Sequence, residues 1–261
     1  MNIIQDIREI YQYRQLLGSL VARHLKERYR GSVLGFLWTL MSPLLLMLVY
    51  SLVFSVYVRI EMQNYAIFLF CGLLPWLWFA QSLTEGTNSI VMGGSLVTKS
   101  MFPARVLPTV CVIAAGFNYL VSLPILAVFL IVAGIHVHPI TWVVVPIVIL
   151  IQFILTEGLV LMASALNVFY RDIQHLLNNL ITLWFFVTPI LYPVKMVPEK
   201  YQWILVANPM SSLIGVYQDV LFNGQMPDWL ALGKVGIIAV AILAAGFWVF
   251  DRHKDRFAEI L

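Results

Sequence analysis

Charged side chains are scarce in this sequence of 261 residues. Asp, Glu, Lys and Arg make 11% of it and hydrophobic residues 61%, against about 25% and about 45–50% in a soluble domain. A bigger core does not close that gap. An ordinary soluble fold is excluded, and one integral membrane domain over 1–261 is expected. Cysteine is also rare. Cys71 and Cys111 lie in apolar runs at a spacing that suits neither a metal site nor a disulfide framework, so they read as packing residues. No Gly-x4-Gly-Lys-Ser/Thr phosphate loop occurs, which excludes that way of binding ATP. HExxH and GxSxG are missing as well, and carboxylates occur singly rather than in pairs. His136 and His138 have no further ligands nearby in sequence; they read as loop histidines, and no metal is expected. The first 30 or so residues have scattered charges and no apolar h-region, which excludes a signal peptide.

What is present is long apolar runs. A spanning helix needs about 20 mostly apolar residues. Stretches 33–58, 65–84, 107–135, 141–169, 176–194 and 230–250 qualify or nearly do. The runs are continuous rather than alternating, so helices are expected, not barrel strands. The fold class predicted is all-α with six transmembrane helices. Pro43, Pro75, Pro124, Pro146 and Pro189 fall within five of the runs, and each is expected to bend its helix. Six spans put both termini on one face. With the termini inside, Arg8, Arg14, Arg23, Lys26, Arg28, Arg30, Lys99, Arg105, Arg171, Arg252, Lys254 and Arg256 are cytoplasmic. Arg59, Lys195, Lys200 and Lys234 are external. That bias fits the positive-inside rule.

The polar stretch 85–108, EGTNSIVMGGSLVTKSMFPARVLP, then lies in the cytoplasm as a loop between spans two and three. Residues 1–30 form a predicted amphipathic interface helix, with Ile3, Ile7, Ile10, Leu17 and Val21 on one side and Arg8, Gln12, Gln15, Arg23, Lys26 and Arg30 opposite. It reads either as a membrane anchor or as a surface that admits an amphiphilic substrate from the inner leaflet. Gly31 and Gly35 make a small-xxx-small pair that allows close helix approach. The external segment 195–229 carries two short apolar-periodic pieces, 201–206 and 212–222, too short to span and predicted to be interfacial or re-entrant. Glu157 is the one acidic residue deep in a run. It must face protein or water, as a bonded structural carboxyl or as a relay or substrate contact. Aromatics cluster at Trp76, Trp78 and Phe79 and at Trp184, Phe185 and Phe186. Many suit interfacial belts, and some could line a sugar path.

In order along the chain, six segments carry a family resemblance: RYRGSVLGFLWTLMSPLLLMLVYSLVFS (28–55), LFCGLLPWLWFAQSLTEGTNSIV (69–91), LVTKSMFPARVLP (96–108), LNVFYRDIQHLL (166–177), FFVTPILYP (185–193) and NPMSSLIGVYQDVLFNG (208–224). The chain resembles the membrane (permease) subunit of ABC exporters for cell-surface polysaccharides, of the O-antigen, capsule and teichoic-acid type. The closing RFAEIL is most like the O-antigen branch. The resemblance implies a homodimer in the bacterial inner membrane with two copies of a separate ATPase, which would bind the ATP and Mg; this chain would hold no cofactor. It implies a lipid-linked polysaccharide as substrate and no nucleic-acid partner. It implies that Ser89, Ile90, Val91, Met92, Leu96, Lys99, Ser100, Phe102 and Arg105 belong to a coupling helix, with Arg171 and Asp172 in a second cytoplasmic element. Substrate would be admitted beside Arg23, Lys26, Arg28 and Arg30. Trp76, Trp78, Phe79, Trp184, Phe185 and Glu157 are candidates to line a channel. Two other functions are weighed: an ABC exporter of drugs or small lipids, and a membrane-embedded enzyme acting on lipid-linked sugars.

Overall fold

A backbone surrounded by hydrocarbon has only its own carbonyls to bond, so apolar runs of this length become helices. The computed structural model describes residues 14–99, 103–135 and 139–261, and only the backbone of Lys99, Pro139 and Ile140. Among the described residues there is no strand. Helix α1 is Arg14–Arg28, α2 is Trp38–Leu52, α3 is Tyr65–Met92, α4 is Gly94–Lys99 and α5 is Val106–Val132. Then follow α6, Pro139–Trp142; α7, Val145–Phe169; α8, Asp172–Val187; α9, Gln202–Ala207; α10, Pro209–Gln218; α11, Trp229–His253; and α12, Phe257–Ile260. A 3₁₀ turn leads into α2, and a π-type turn extends it, so that Gly35–Tyr57 is one apolar segment.

Five segments are long and apolar enough to cross a membrane: Gly35–Tyr57, Tyr65–Met92, Val106–Val132, Val145–Phe169 and Trp229–Ile260. The expected span 176–194 is different. Helix α8 has 16 residues, about 24 Å of rise against a hydrocarbon core of about 30 Å. It stops because Thr188 precedes Pro189, and a proline pushes the residue before it out of the helical region. Thr188 sits at φ −91° and ψ 134°. The chain that follows is non-helical yet buried at Thr188, Ile190 and Leu191. Its carbonyls are bonded by distant side chains: Gln218 Nε2 donates to Pro189 O at 3.1 Å, and Tyr65 OH to Leu191 O at 2.7 Å. Replacing Gln218 with methionine keeps the volume and leaves the Pro189 carbonyl unpaired. The expected cost is about 1–3 kcal/mol, read as a lower midpoint of thermal unfolding in detergent.

Three other expectations change. Stretch 85–108 is not a loop throughout, because α3 runs on to Met92 through Glu85, Thr87 and Asn88. Pro43, Pro75 and Pro124 lie inside helices, but Pro146 stands at the first turn of α7 and Pro189 outside any helix. Neither of the last two bends a helix. Gly31 and Gly35 do not share a helix face. Their φ angles are 80° and 48°, and a Cβ at either would meet nothing within 4 Å. They turn the chain between α1 and α2.

Helix α3 is the centre of the bundle. It packs on α5 and α7, while α11 lies along α7. Leu69, Phe70, Leu73 and Phe79 of α3 are fully buried. Helix α2 is peripheral, with Thr39 its one buried residue. Gly158 and Gly246 let α7 and α11 touch backbone to backbone; a Cβ at Gly246 would lie 2.3 Å from Gly158 O. Backbone cannot swing aside as a side-chain tip can. Gly246→Ala is therefore expected to force the helices apart and cost about 1–3 kcal/mol, while Gly233→Ala, at an open site, leaves the unfolding midpoint unchanged.

Candidate functional site

Several elements meet at the end of the bundle where α3 finishes and α5 begins. Gly93 makes the corner between α3 and α4; a Cβ there would lie 2.5 Å from Leu107 Cδ1 and 3.0 Å from Ser89 O. A second, smaller core joins this corner to the rest. Ile90, Leu161, Ala165, Val168, Phe247, Phe250 and Phe257 form it, with Val97 and Leu261 packed against it. Phe257 meets Phe250 edge-on at 5.4 Å between ring centroids and Phe169 at 6.2 Å. A Cβ at Gly94 would lie 3.5 Å from Leu261 Cβ, so segment 257–261 underlies the first turn of α4.

The residues implied for coupling divide by placement. Ile90 is fully buried and Val91 half-buried, and Ser89 Oγ donates to Gly86 O at 2.7 Å. Met92 and Leu96 are exposed, 79% and 36%. Ser100 and Phe102 lie outside the described residues, as do the Lys99 side chain, His136, His138 and residues 1–13 of the expected interface helix. Arg105 is buried, with a side chain 8% exposed. Its Nη2 donates to Asp251 Oδ1, and its guanidinium lies over the rings of Phe247 at 5.3 Å and Phe250 at 5.9 Å. Lys254 Nζ reaches the same carboxylate oxygen at 3.0 Å. Arg105 thus ties the start of α5 to the end of α11. Arg171 and Asp172 are exposed at the start of α8.

Helix α1 has no buried residue. It is fastened to the same end through Glu85 of α3, which accepts from Arg28 Nη1 at 3.1 Å and from Gln81 Nε2 at 3.1 Å and lies 3.0 Å from His24 Nε2. Arg23 pairs with Glu27 at 2.8 Å, and that hydrogen bond holds the Glu27 carboxyl below its ordinary value. Lys26 and Arg30 are exposed. A short polar helix corner, α4, and a basic surface helix, α1, are thus both attached to the far end of α3.

Residues 15–222 match the family model described as ABC-2 type transporter. The chain belongs to that family. It is also 44% identical over 261 residues, 98% of its length and 99% of the relative's, to an O-antigen export system permease protein RfbA of Myxococcus xanthus. Identity to a protein of the same name from Klebsiella pneumoniae is 36% over 247 residues, 94% and 95% of the two chains. A polysialic acid transport protein KpsM of Escherichia coli is 19% identical over 241 residues, 91% and 93%. The ABC-2 chain is a multi-pass inner-membrane transporter permease, not an enzyme, and its family works with a separate ATPase subunit.

The aromatic candidates lie inside this permease. Trp76, Trp78, Phe79 and Phe185 are all under 9% exposed. Trp76 packs on Phe79 and Phe185, and Phe79 meets Trp184 edge-on at 5.1 Å. Trp78 stacks on Tyr119 and donates from Nε1 to Val112 O at 3.1 Å. Trp184, half-buried, donates to Asn208 Oδ1 at 2.8 Å. Glu157 accepts from Thr109 Oγ1 at 2.5 Å between α7 and α5. These groups knit α3, α5, α7 and α8 together within one chain. Exposed polar side chains that the sequence pattern did not single out include Asn178, Asn179 and Thr182 of α8, flanked by Leu183 and Phe186. Their signal was present: positions 178 and 182 are one helical turn apart inside an otherwise apolar run.

Proposed function

We propose that this chain is the membrane-spanning subunit of an ATP-driven exporter that moves a lipid-linked polysaccharide, of the O-antigen class, from the cytoplasmic to the outer side of the inner membrane. The observation that carries the reading is the 44% identity, end to end, with an O-antigen export permease. The drug-exporter alternative has no such relative behind it. A homodimer with two ATPase copies is the assembly. ATP and Mg belong to those ATPase chains.

The sixth crossing is made by α8 together with segment 188–193. The Phe169–His253 ring contact, which joins the ends of α7 and α11 three residues before α8 begins, and the Tyr65–Leu191 hydrogen bond beyond the end of α8 support this path. Both termini then face the cytoplasm, as the distribution of Lys and Arg favours. Helix α10, packed on α3 beside Gly72, is the re-entrant piece. Non-helical backbone is tolerated at that depth when protein buries it.

Coupling runs through α4. Met92 at the end of α3 and Leu96 of α4 give the ATPase an apolar foothold, and Arg171 and Asp172 give it a second contact. Ile90, Phe257 and Arg105 hold α4 from behind. The wet wall of the channel is the Asn178, Asn179 and Thr182 face of α8, since exposed amides are costly against lipid. The aromatics of α3 support that wall. Arg23, Lys26, Arg28 and Arg30 meet the anionic headgroup layer where the substrate is admitted. To switch the channel population fully, ATP binding must favour one state by about 5.5 kcal/mol. The test is co-purification with a phosphate-loop ATPase, followed by ATP hydrolysis and glycan export from vesicles. A permease and ATPase that both fold yet fail to associate would overturn the reading.

A further inference from the structure

A groove of about 300 Å³ lies between α2, α3 and α5, beneath the end of α1. Its rim carries Arg28 and Glu85, and its walls carry Ser42 of α2, Gln81 and Thr84 of α3, and Asn118 of α5. Ser42 on the peripheral helix α2 and Thr84 on α3 are both exposed. Asn118 is 9% exposed, and its Oδ1 accepts no hydrogen bond. A buried amide oxygen left unpaired costs about 1–3 kcal/mol, so a donor supplied from the groove would be favourable there.

The chemistry of the walls narrows the occupant. At the rim Arg28 is already paired with Glu85, and Gln81 bonds the same carboxylate. Among the described residues, the one cation lining the groove is therefore already held by a carboxylate rather than left to a phosphate. It offers uncharged donors and acceptors, with the Trp38 ring, 39% exposed, at its side. Hydroxyls alternating around an apolar C–H face meet both kinds of surface. The volume is at the lower end for small-ligand sites, enough for a terminal sugar unit and not for a folded chain.

We propose that this groove binds an uncharged sugar ring of the lipid-linked substrate as it leaves the inner-leaflet headgroup layer, with Gln81, Thr84 and Asn118 as the hydrogen-bonding wall. The proposal rests on the exporter reading and adds a site within one protomer. Each copy of the permease thus carries its own sugar subsite, next to the ion pair that fastens α1 to α3.

Cys71 and Cys111 are both buried, so Ser42→Cys gives one accessible thiol for labelling. In the permease–ATPase complex in nanodiscs, decyl glucoside is expected to slow maleimide labelling of S42C at least tenfold and saturably. Decylphosphocholine, with the same tail, is expected not to. Adding Asn118→Leu should abolish the protection; Thr84→Val, at an exposed site, is the second variant should N118L fail to assemble. Equal protection by both amphiphiles would mean a crevice for tails and would overturn the sugar site. So would absent protection by the glucoside in a complex that exports normally, which leaves the exporter reading intact. Sugar-selective protection in a complex that exports no glycan would instead remove the exporter reading and retain the site.

Discussion

Replacing Arg105 with glutamate is expected to unfold the end of the bundle where α4 sits, and so to remove export. The guanidinium is 8% exposed and bonded to Asp251. The substitution puts a second carboxylate beside the first and takes the cation off the faces of Phe247 and Phe250. Breaking one partner of a buried ion pair costs about 3–5 kcal/mol, and here repulsion adds to it. The measurement is thermal unfolding of the purified permease in detergent, together with its yield in the membrane. Exchanging the two charges, Arg105→Asp with Asp251→Arg, should recover part of the loss. If Arg105 acted instead by docking on the ATPase, R105E would weaken co-purification and leave the unfolding midpoint where it was. That result would sink the structural role.

This pair also marks the limit of what the sequence disclosed. Hydropathy located the five long spans because insertion in a bilayer depends on composition over about 20 residues, and composition is visible without partners. Ending span two at Thr84 was reasonable on polarity. Helix α3 continues because backbone propagation tolerates Glu85 and Asn88 once their side chains reach solvent or partners. The carboxylate of Glu85 finds His24 and Arg28, 61 and 57 positions away in sequence. Arg105 and Asp251 are 146 positions apart, and no local pattern announces a contact of that separation. The break after Val187 was half legible. Thr188 before Pro189 predicts a helix end, but the Gln218 and Tyr65 side chains that make such a break tolerable come from other elements. The aromatic clusters show a different limit. Trp76 and Phe79 are conspicuous in sequence because they are large, and large residues fill cores before they line paths.

The second large effect is expected at Phe257. Its ring is fully buried against Phe250 and Phe169, and truncating a buried phenylalanine costs about 3–5 kcal/mol. The loss should stay local, because Phe257 belongs to the small core around Ile90 and Val168 rather than to the main one around α3. Phe257→Ala then frees segment 257–261 from the first turn of α4, where Leu261 rests on Gly94. An α4 without that support presents Leu96 in no fixed direction relative to Met92 at the end of α3. Insertion should be normal and the main unfolding transition little changed. Amide hydrogen exchange in Gly94–Lys99 should quicken by at least tenfold, and co-purification with the ATPase should fall with it. Phe257→Leu, which keeps most of the apolar volume, should retain both. If exchange in α4 were unchanged in F257A while export disappeared, Phe257 would be acting on the ATPase directly, and the support of α4 from behind would have to come from Ile90 and Arg105 alone.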